Sequence, residues 1–366
     1  MEPITIQLTP EQFCPEERII VRSGNLSAAA FRFPGGVCGL RLANEAGELI
    51  LLPFQGQQIW RATFKGVDLT MQSMFDTPLP TTDYLSTYGG FLIHCGMTAM
   101  GVPDAADSHP LHGELPNMDY PEASLLLDED DDGPYIALRG QTEYKIAFST
   151  HYRAEPEVRL HAGATVANVS LTVTNLRSRP LDYMYLCHIN FRPVDGARLV
   201  YSAQADPQHV YAHMAVPDSL PSQDADNLRR YIEAINRDPS VHHHIDPQNQ
   251  YYDPEIVMTL HYSADNDGYG HTLQVLPDGE AFYVAHRVHE LPLVLRWIAR
   301  TIDEDALGMA LPATAEHHGR TKAGQDGQIK TLAGGSSVTM SMRVGYLDAA
   351  AAAAVQDKVG RILKEK

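Results

Sequence analysis

The sequence predicts an all-β fold, mostly antiparallel, built as one large domain (residues 1–366) with minor helical insertions. Three observations carry that prediction. Short apolar runs with period-two alternation recur along the chain, separated by Gly, Pro, Asn and Asp clusters. Nowhere do strands and helices alternate in the manner of βαβ units. Only two segments show helical spacing, and they lie outside the densest β-patterned regions.

Taken in order, Ser27 to Leu42 reads as strand, Pro-Gly-Gly turn, strand, and Glu48 to Lys65 reads similarly. Thr87 to Asn117 is rich in Gly and Pro, with a short apolar run carrying His94 and Cys95. It ends in Pro110-Leu111-His112-Gly113-Glu114. A connection of that length in a compact protein is commonly functional. Asp128 to Pro134 reads as an acidic hairpin turn; its calcium-loop resemblance fails at the twelfth position, Arg139.

The clearest alternation runs from Asn168 to Phe191. Val169, Leu171 and Val173 alternate with Ser170, Thr172 and Thr174 in a half-buried strand. A second strand then covers Leu181 to Phe191. Met184, Leu186, His188 and Asn190 share one of its faces, and Tyr183, Tyr185, Cys187, Ile189 and Phe191 form the other, core-like face. Ser222 to Asp238 reads as a helix stopped by Pro239, and residues 348–366 as a C-terminal amphipathic helix capped by Asp348. The β-core spans about residues 27–347, with further strands at Tyr251–Tyr262, Thr272–Leu276, Ala281–Val288, Leu291–Arg300 and Ser336–Leu347.

Composition narrows the function. A net charge of −18 argues against a nucleic-acid partner and weighs against anionic substrates. Four scattered cysteines without a Cys-x-x-Cys pair read as reduced thiols. No basic and apolar leader opens the sequence, and no apolar run approaches membrane-spanning length, so a cytoplasmic protein without a membrane partner is expected. A homodimer is one arrangement the sequence admits. Phosphate loops, nucleophile elbows and dinucleotide fingerprints are missing. Imidazoles and carboxylates remain: His112, His188 and Glu316 as a general acid–base set if the fold brings them together, or as ordinary hydrogen-bonded residues if it does not. The His242-His243-His244 run with Asp246, His261 and His271 matches no metal spacing, so neither metal nor cofactor is expected.

Four segments, in order, resemble the aldose 1-epimerase (galactose mutarotase-like) superfamily, in its branch of less characterised members. They are Gly89-Gly90-Phe91-Leu92-Ile93-His94-Cys95-Gly96, Pro110-Leu111-His112-Gly113-Glu114, Cys187-His188-Ile189-Asn190-Phe191, and Gly308 to Gly319 followed by Leu332-Ala333-Gly334-Gly335. The resemblance spans about residues 27–347. It implies a large antiparallel β-supersandwich with a sugar cleft on one face, and anomer interconversion of a free monosaccharide. His188 matches the family's general acid, and His112 the histidine near the ring oxygen. The family's carboxylate base aligns with Leu311, which makes Glu316 the nearest substitute. Arg41 and Arg61 stand as sugar-binding candidates by elimination, alongside His94, Asn190 and Trp297. Two alternatives stay open: a carbohydrate-binding protein that has lost its base, and an epimerase of phosphorylated or acidic sugars. The latter would need a pocket built from Arg61, Arg192, Arg296 and Arg300.

Overall fold

The computed structural model describes residues 2–365. Its strands form a nine-stranded and a thirteen-stranded sheet, and every pair of named strands is antiparallel. The all-β expectation therefore stands. Alternation sets the register. Val169, Leu171 and Val173 are buried while Ser170, Thr172 and Thr174 face outward, where Thr172 bonds Thr339 across the strand pair. Each such buried aliphatic side chain is worth roughly 1.5–3 kcal/mol, and a one-residue slip would turn all of them to solvent. One contiguous apolar cluster draws on both sheets; Phe191 stacks on Phe282 of the other sheet with ring centroids 5.6 Å apart.

The helices are Ser222–Arg237, Gly319–Gln325 and Ala349–Lys364. Asp348 caps the last one, its side chain accepting from Ala351 N at 2.9 Å. Ala352 and Val359 of that helix share an apolar cluster with Leu273, Ala281 and Ala285 of the nine-stranded sheet. The short Gly319–Gln325 helix escapes a sequence reading because seven residues carry too little periodicity. The acidic hairpin forms as expected between Glu122–Asp130 and Gly133–Ile146, with the second strand far longer than its Tyr135–Leu138 kernel. Among the described residues no helix is long and apolar enough to cross a membrane.

Six neighbouring strands of the larger sheet position the site. Their order is Val210–Ala212, Ile256–Leu260, Leu293–Arg300, Asp305–Ala313, Leu181–Ile189 and Leu92–Met97. The short apolar run carrying His94 and Cys95 is the strand Leu92–Met97, which pairs residue for residue with Met184–Ile189. A bulge interrupts the central pair, where Leu295 opposes Leu311 but Trp297 opposes Gly308. The extra residue re-aims the strand, as bulges beside functional sites do. Leu311 folds over Gly308, where an added Cβ would stand 2.9 Å from its Cδ2.

Candidate active site

A cavity of about 260 Å³ opens on one face of these strands. It lies just below the usual range of about 300–1,000 Å³ for small-molecule sites, room for one compact ring. Its floor is apolar, with Leu186, Leu295 and Leu311; Tyr88 and Trp297 form an aromatic wall. Its imidazole and carboxylate lining is His112, His188, His317 and Glu255, with the hydroxyl-bearing Tyr84 and Tyr88 beside them. Among the described residues no lysine or arginine lines it.

His188 reaches the cavity because strand alternation puts it on the face of Leu186. Its protonation pattern is fixed by Asn190. The Asn190 amide nitrogen donates to Gly90 O at 2.9 Å, which turns Oδ1 toward His188 Nδ1 at 2.7 Å. An amide oxygen only accepts, so Nδ1 carries the proton and Nε2 is the lone-pair nitrogen. Burial pushes the His188 pKa down to about 4, against a smaller upward pull from Asn190. At neutral pH the ring is therefore a neutral proton acceptor. Its edges meet Trp297, Tyr88 and His112, with centroids 5.4, 5.9 and 5.4 Å away.

His112 sits at φ 59°, left-handed backbone that few non-glycine residues adopt, followed by Gly113 at φ 81°. The turn is over-determined. His112 O accepts from Gly96 N at 2.9 Å, and His112 N donates to Gly101 O at 3.0 Å. At Gly113 a Cβ would stand 2.3 Å from Ala99 O and 2.4 Å from Gly96 O, so only glycine fits. Burial, then the neighbouring His188 and His317, hold the His112 pKa well below its usual value. Local strain held by its surroundings is a common feature of functional sites.

Glu255 is the carboxylate of the cavity, and the sequence reading missed it. It follows Asp253-Pro254 at the mouth of the Ile256–Leu260 strand, and its Oε2 accepts from Trp297 Nε1 at 2.6 Å. The only sequence signal is an acid immediately before an apolar strand, which occurs at countless ordinary strand starts. Trp297 was expected at the ligand, and it lines the cavity.

Glu316 lies elsewhere. It is buried but does not line the cavity; its Oε1 accepts from Tyr211 Oη at 2.5 Å and from Thr259 Oγ1 at 2.8 Å. Burial raises its pKa, yet those two hydrogen bonds and His213 bring it below the ordinary value. Leu311, aligned with the family's base, does line the cavity as an apolar residue. Asn190 lies behind His188 as its orienting partner and does not line the cavity.

Three expected sugar contacts are corrected by the structure. His94 shares the core face with Cys187, and its Nδ1 meets Tyr185 Oη at 2.7 Å, since paired residues of adjacent strands face the same way. Arg61 uses its guanidinium on the carbonyls of Trp60, Gly89 and Phe75, which shapes the loop bearing Tyr84 and Tyr88. Arg41 pairs with Glu17 and Glu48 on the strand Cys38–Asn44, away from the cavity. Other polar candidates also have local partners. Arg296 is buried against His242 and Met309 O, and Arg300 pairs with Asp195 and Asp305. His242 is buried in a structural role, bonded to Arg296, and His271 bonds Tyr283 and Asp265.

Two large antiparallel sheets, one bearing this cavity, agree in fold with known structures. A protein from Klebsiella pneumoniae subsp. pneumoniae described as a candidate aldose 1-epimerase matches with a TM-score of 0.79 at 18% identity, over 98% of this chain and 96% of its own. A galactose mutarotase-like protein from Clostridium acetobutylicum matches with a TM-score of 0.55 at 11% identity, over 89% of this chain and 100% of its own. A further candidate aldose 1-epimerase, from Escherichia coli K12, gives 0.52 at 14% identity, over 84% and 97%. The chain thus has the galactose mutarotase-like fold. Residues 36–208 also match the family described as a domain of unknown function, DUF4432. No curated protein matches the sequence.

Proposed function

We propose that the cavity binds the ring of a neutral monosaccharide and interconverts its anomers, with His188 as proton carrier. The observation that carries this is the tautomer of His188, which leaves a neutral Nε2 with a free lone pair in a cavity whose one carboxylate, among the described residues, is Glu255. The fold's neighbours described as candidate aldose 1-epimerases support the same reaction class.

The anomeric carbon bears two oxygens, the hydroxyl O1 and the ring oxygen O5. His188 Nε2 takes the proton of O1, and the imidazolium so formed delivers it to O5 as the C1–O5 bond breaks. O1 becomes the aldehyde oxygen, the C1–C2 bond turns, and the reverse steps close the ring with the opposite configuration. One proton moves from O1 to O5, and nothing else is consumed. Glu255 stabilises the transient imidazolium and accepts from a sugar hydroxyl, held in place by Trp297. Tyr88 and Trp297 offer flat apolar faces to the ring's C–H surface. Because the described lining of the cavity carries no cation, phosphorylated and acidic sugars find no counter-charge there. The role of His188 here departs from the family's general acid, since a ring with a pKa near 4 is scarcely protonated at neutral pH.

The test follows anomer equilibration by NMR for freshly dissolved aldoses across a monosaccharide panel. The chain accelerates at least one of them over buffer, His188→Asn loses about 10²–10⁴ of that rate, and Glu255→Gln slows it as well. Saturable sugar binding with no acceleration would instead establish a carbohydrate-binding protein, the reading that the apolar Leu311 favours. No binding and no acceleration would remove the proposal altogether.

A further inference from the structure

The structure assigns a second site beside the cavity: we infer that His213, His317 and His318 form a three-histidine centre for a divalent transition ion of the zinc class. The ligating atoms of the three rings all lie within 4.8 Å of one another. Tetrahedral zinc with bonds near 2.0–2.1 Å needs its nitrogens roughly 3.4 Å apart. His318 Nε2 and His213 Nδ1 are already 3.0 Å apart, and the ring centroids of His213 stand 4.7 Å from His317 and 4.6 Å from His318. Small rotations of the rings therefore complete the set. Two ligands come from adjacent residues in the turn between the Asp305–Ala313 strand and the Gly319–Gln325 helix. The third follows directly after the Val210–Ala212 strand.

The hydrogen bonds around His213 explain why its lone pair points inward. Thr259 Oγ1 gives its only proton to Glu316 Oε1 at 2.8 Å, so at His213 Nε2, 2.8 Å away, it can only accept. Nε2 is thereby the protonated nitrogen and Nδ1 carries the lone pair that faces His318. The chain Glu316–Thr259–His213 is the carboxylate-backed arrangement that orients a metal-binding imidazole, with a hydroxyl between the acid and the ring. Tyr211 and the backbone bond from Glu316 N to Gln328 fix that carboxylate in turn. This gives Glu316 a positioning role in place of the proton-abstracting one that the sequence suggested.

Without a metal, His318 must donate to His213 Nδ1, and that leaves a residue over. His317 Nδ1 is buried with no hydrogen-bond partner. A stranded buried nitrogen in a cluster of three imidazoles costs on the order of 1–3 kcal/mol, and a bound cation gives such a cluster a shared partner. Imidazole ligands suit zinc, copper, nickel and iron, and three protein ligands leave a coordination position open. His317 also lines the sugar cavity, so the centre lies in its wall.

The test reads the metal alone and is independent of anomerisation. Tag-free full-length protein is stripped with a chelator and titrated with Zn²⁺ by calorimetry and with Co²⁺ by absorption spectroscopy. The expected result is one equivalent bound, with an intense visible Co²⁺ band from a low-coordinate nitrogen site. His318→Ala abolishes the band, Glu316→Gln weakens affinity about 10–100-fold, and His261→Ala, near Tyr211 but outside the cluster, leaves it unchanged. Absence of stoichiometric binding in the parent protein, or binding undiminished in a folded His318→Ala variant, overturns the assignment.

Discussion

Changing Asn190 to Asp tests how the cavity sets the state of His188. The amide oxygen lies 2.7 Å from His188 Nδ1, and the amide nitrogen serves only to hold Gly90 O. The substituted carboxylate would keep an acceptor at Nδ1 but add a full negative charge. At a charge separation of about 4 Å and an effective dielectric constant near 20, that attraction is worth about 4 kcal/mol, or about 3 pKa units. Burial of the new carboxylate and the loss of the bond to Gly90 O offset part of this. The His188 pKa should therefore rise from about 4 to roughly 6–7. In the parent protein the folded pKa lies below the unfolded value, so His188 costs stability as pH falls from about 6.5 through 4, by about 3 kcal/mol at the limit. In Asn190→Asp that acid-side loss largely disappears, and the overall stability near pH 8 drops. The measurement is the titration of the His188 Cε1–H resonance by heteronuclear NMR, with urea midpoints at pH 8 and pH 5. A parent His188 that titrates near 6.5, or a variant ring that stays near 4, would refute both the buried tautomer and the proton carrier built on it. The parent's anomerisation rate should be flat from pH 5 to 8 and fall only as the ring takes its proton near pH 4.

Two more perturbations bear on the framework. Gly113→Ala should destabilise the chain by about 3 kcal/mol or more, since a left-handed non-glycine residue would also meet two carbonyl oxygens; a thermal unfolding scan that finds it within a degree of the parent would contradict the turn. Of the two tryptophans, Trp60 is buried and Trp297 lines the cavity. Sugar binding should therefore change the intrinsic fluorescence of the parent protein and not that of Trp297→Phe, and an equal change in both would place the ligand elsewhere.

Much of the fold was legible because period-two alternation is a local property, and burial on one face enforces it. That same alternation put His188 on the face of its strand opposite the core-like set, and the His112-Gly113 pair announced a sharp turn. The carboxylate was harder. Glu255 reaches the cavity because the strand it leads into pairs with the one bearing Trp297, Val257 opposite Trp297, and nothing adjacent in sequence records that pairing. Arg61 and Arg41 stand as candidates by elimination, but the guanidinium of the first is engaged by neighbouring carbonyls and that of the second by neighbouring carboxylates, contacts that sequence does not record. His94 fell on the wrong side because pairing with Cys187, a long-range fact, fixes its face. His213 stayed invisible as well, since its companions lie about a hundred residues downstream in the chain.

His317 belongs to two neighbourhoods, the lining of the cavity and the imidazole cluster. A ring can take only one orientation at a time, so occupancy on either side of it must be felt on the other. Thermodynamic reciprocity then applies: whatever factor a cation contributes to sugar affinity, the sugar must contribute to cation affinity. Where both proposed sites are filled, a single side chain would make the response to a carbohydrate depend on the free metal level around the protein.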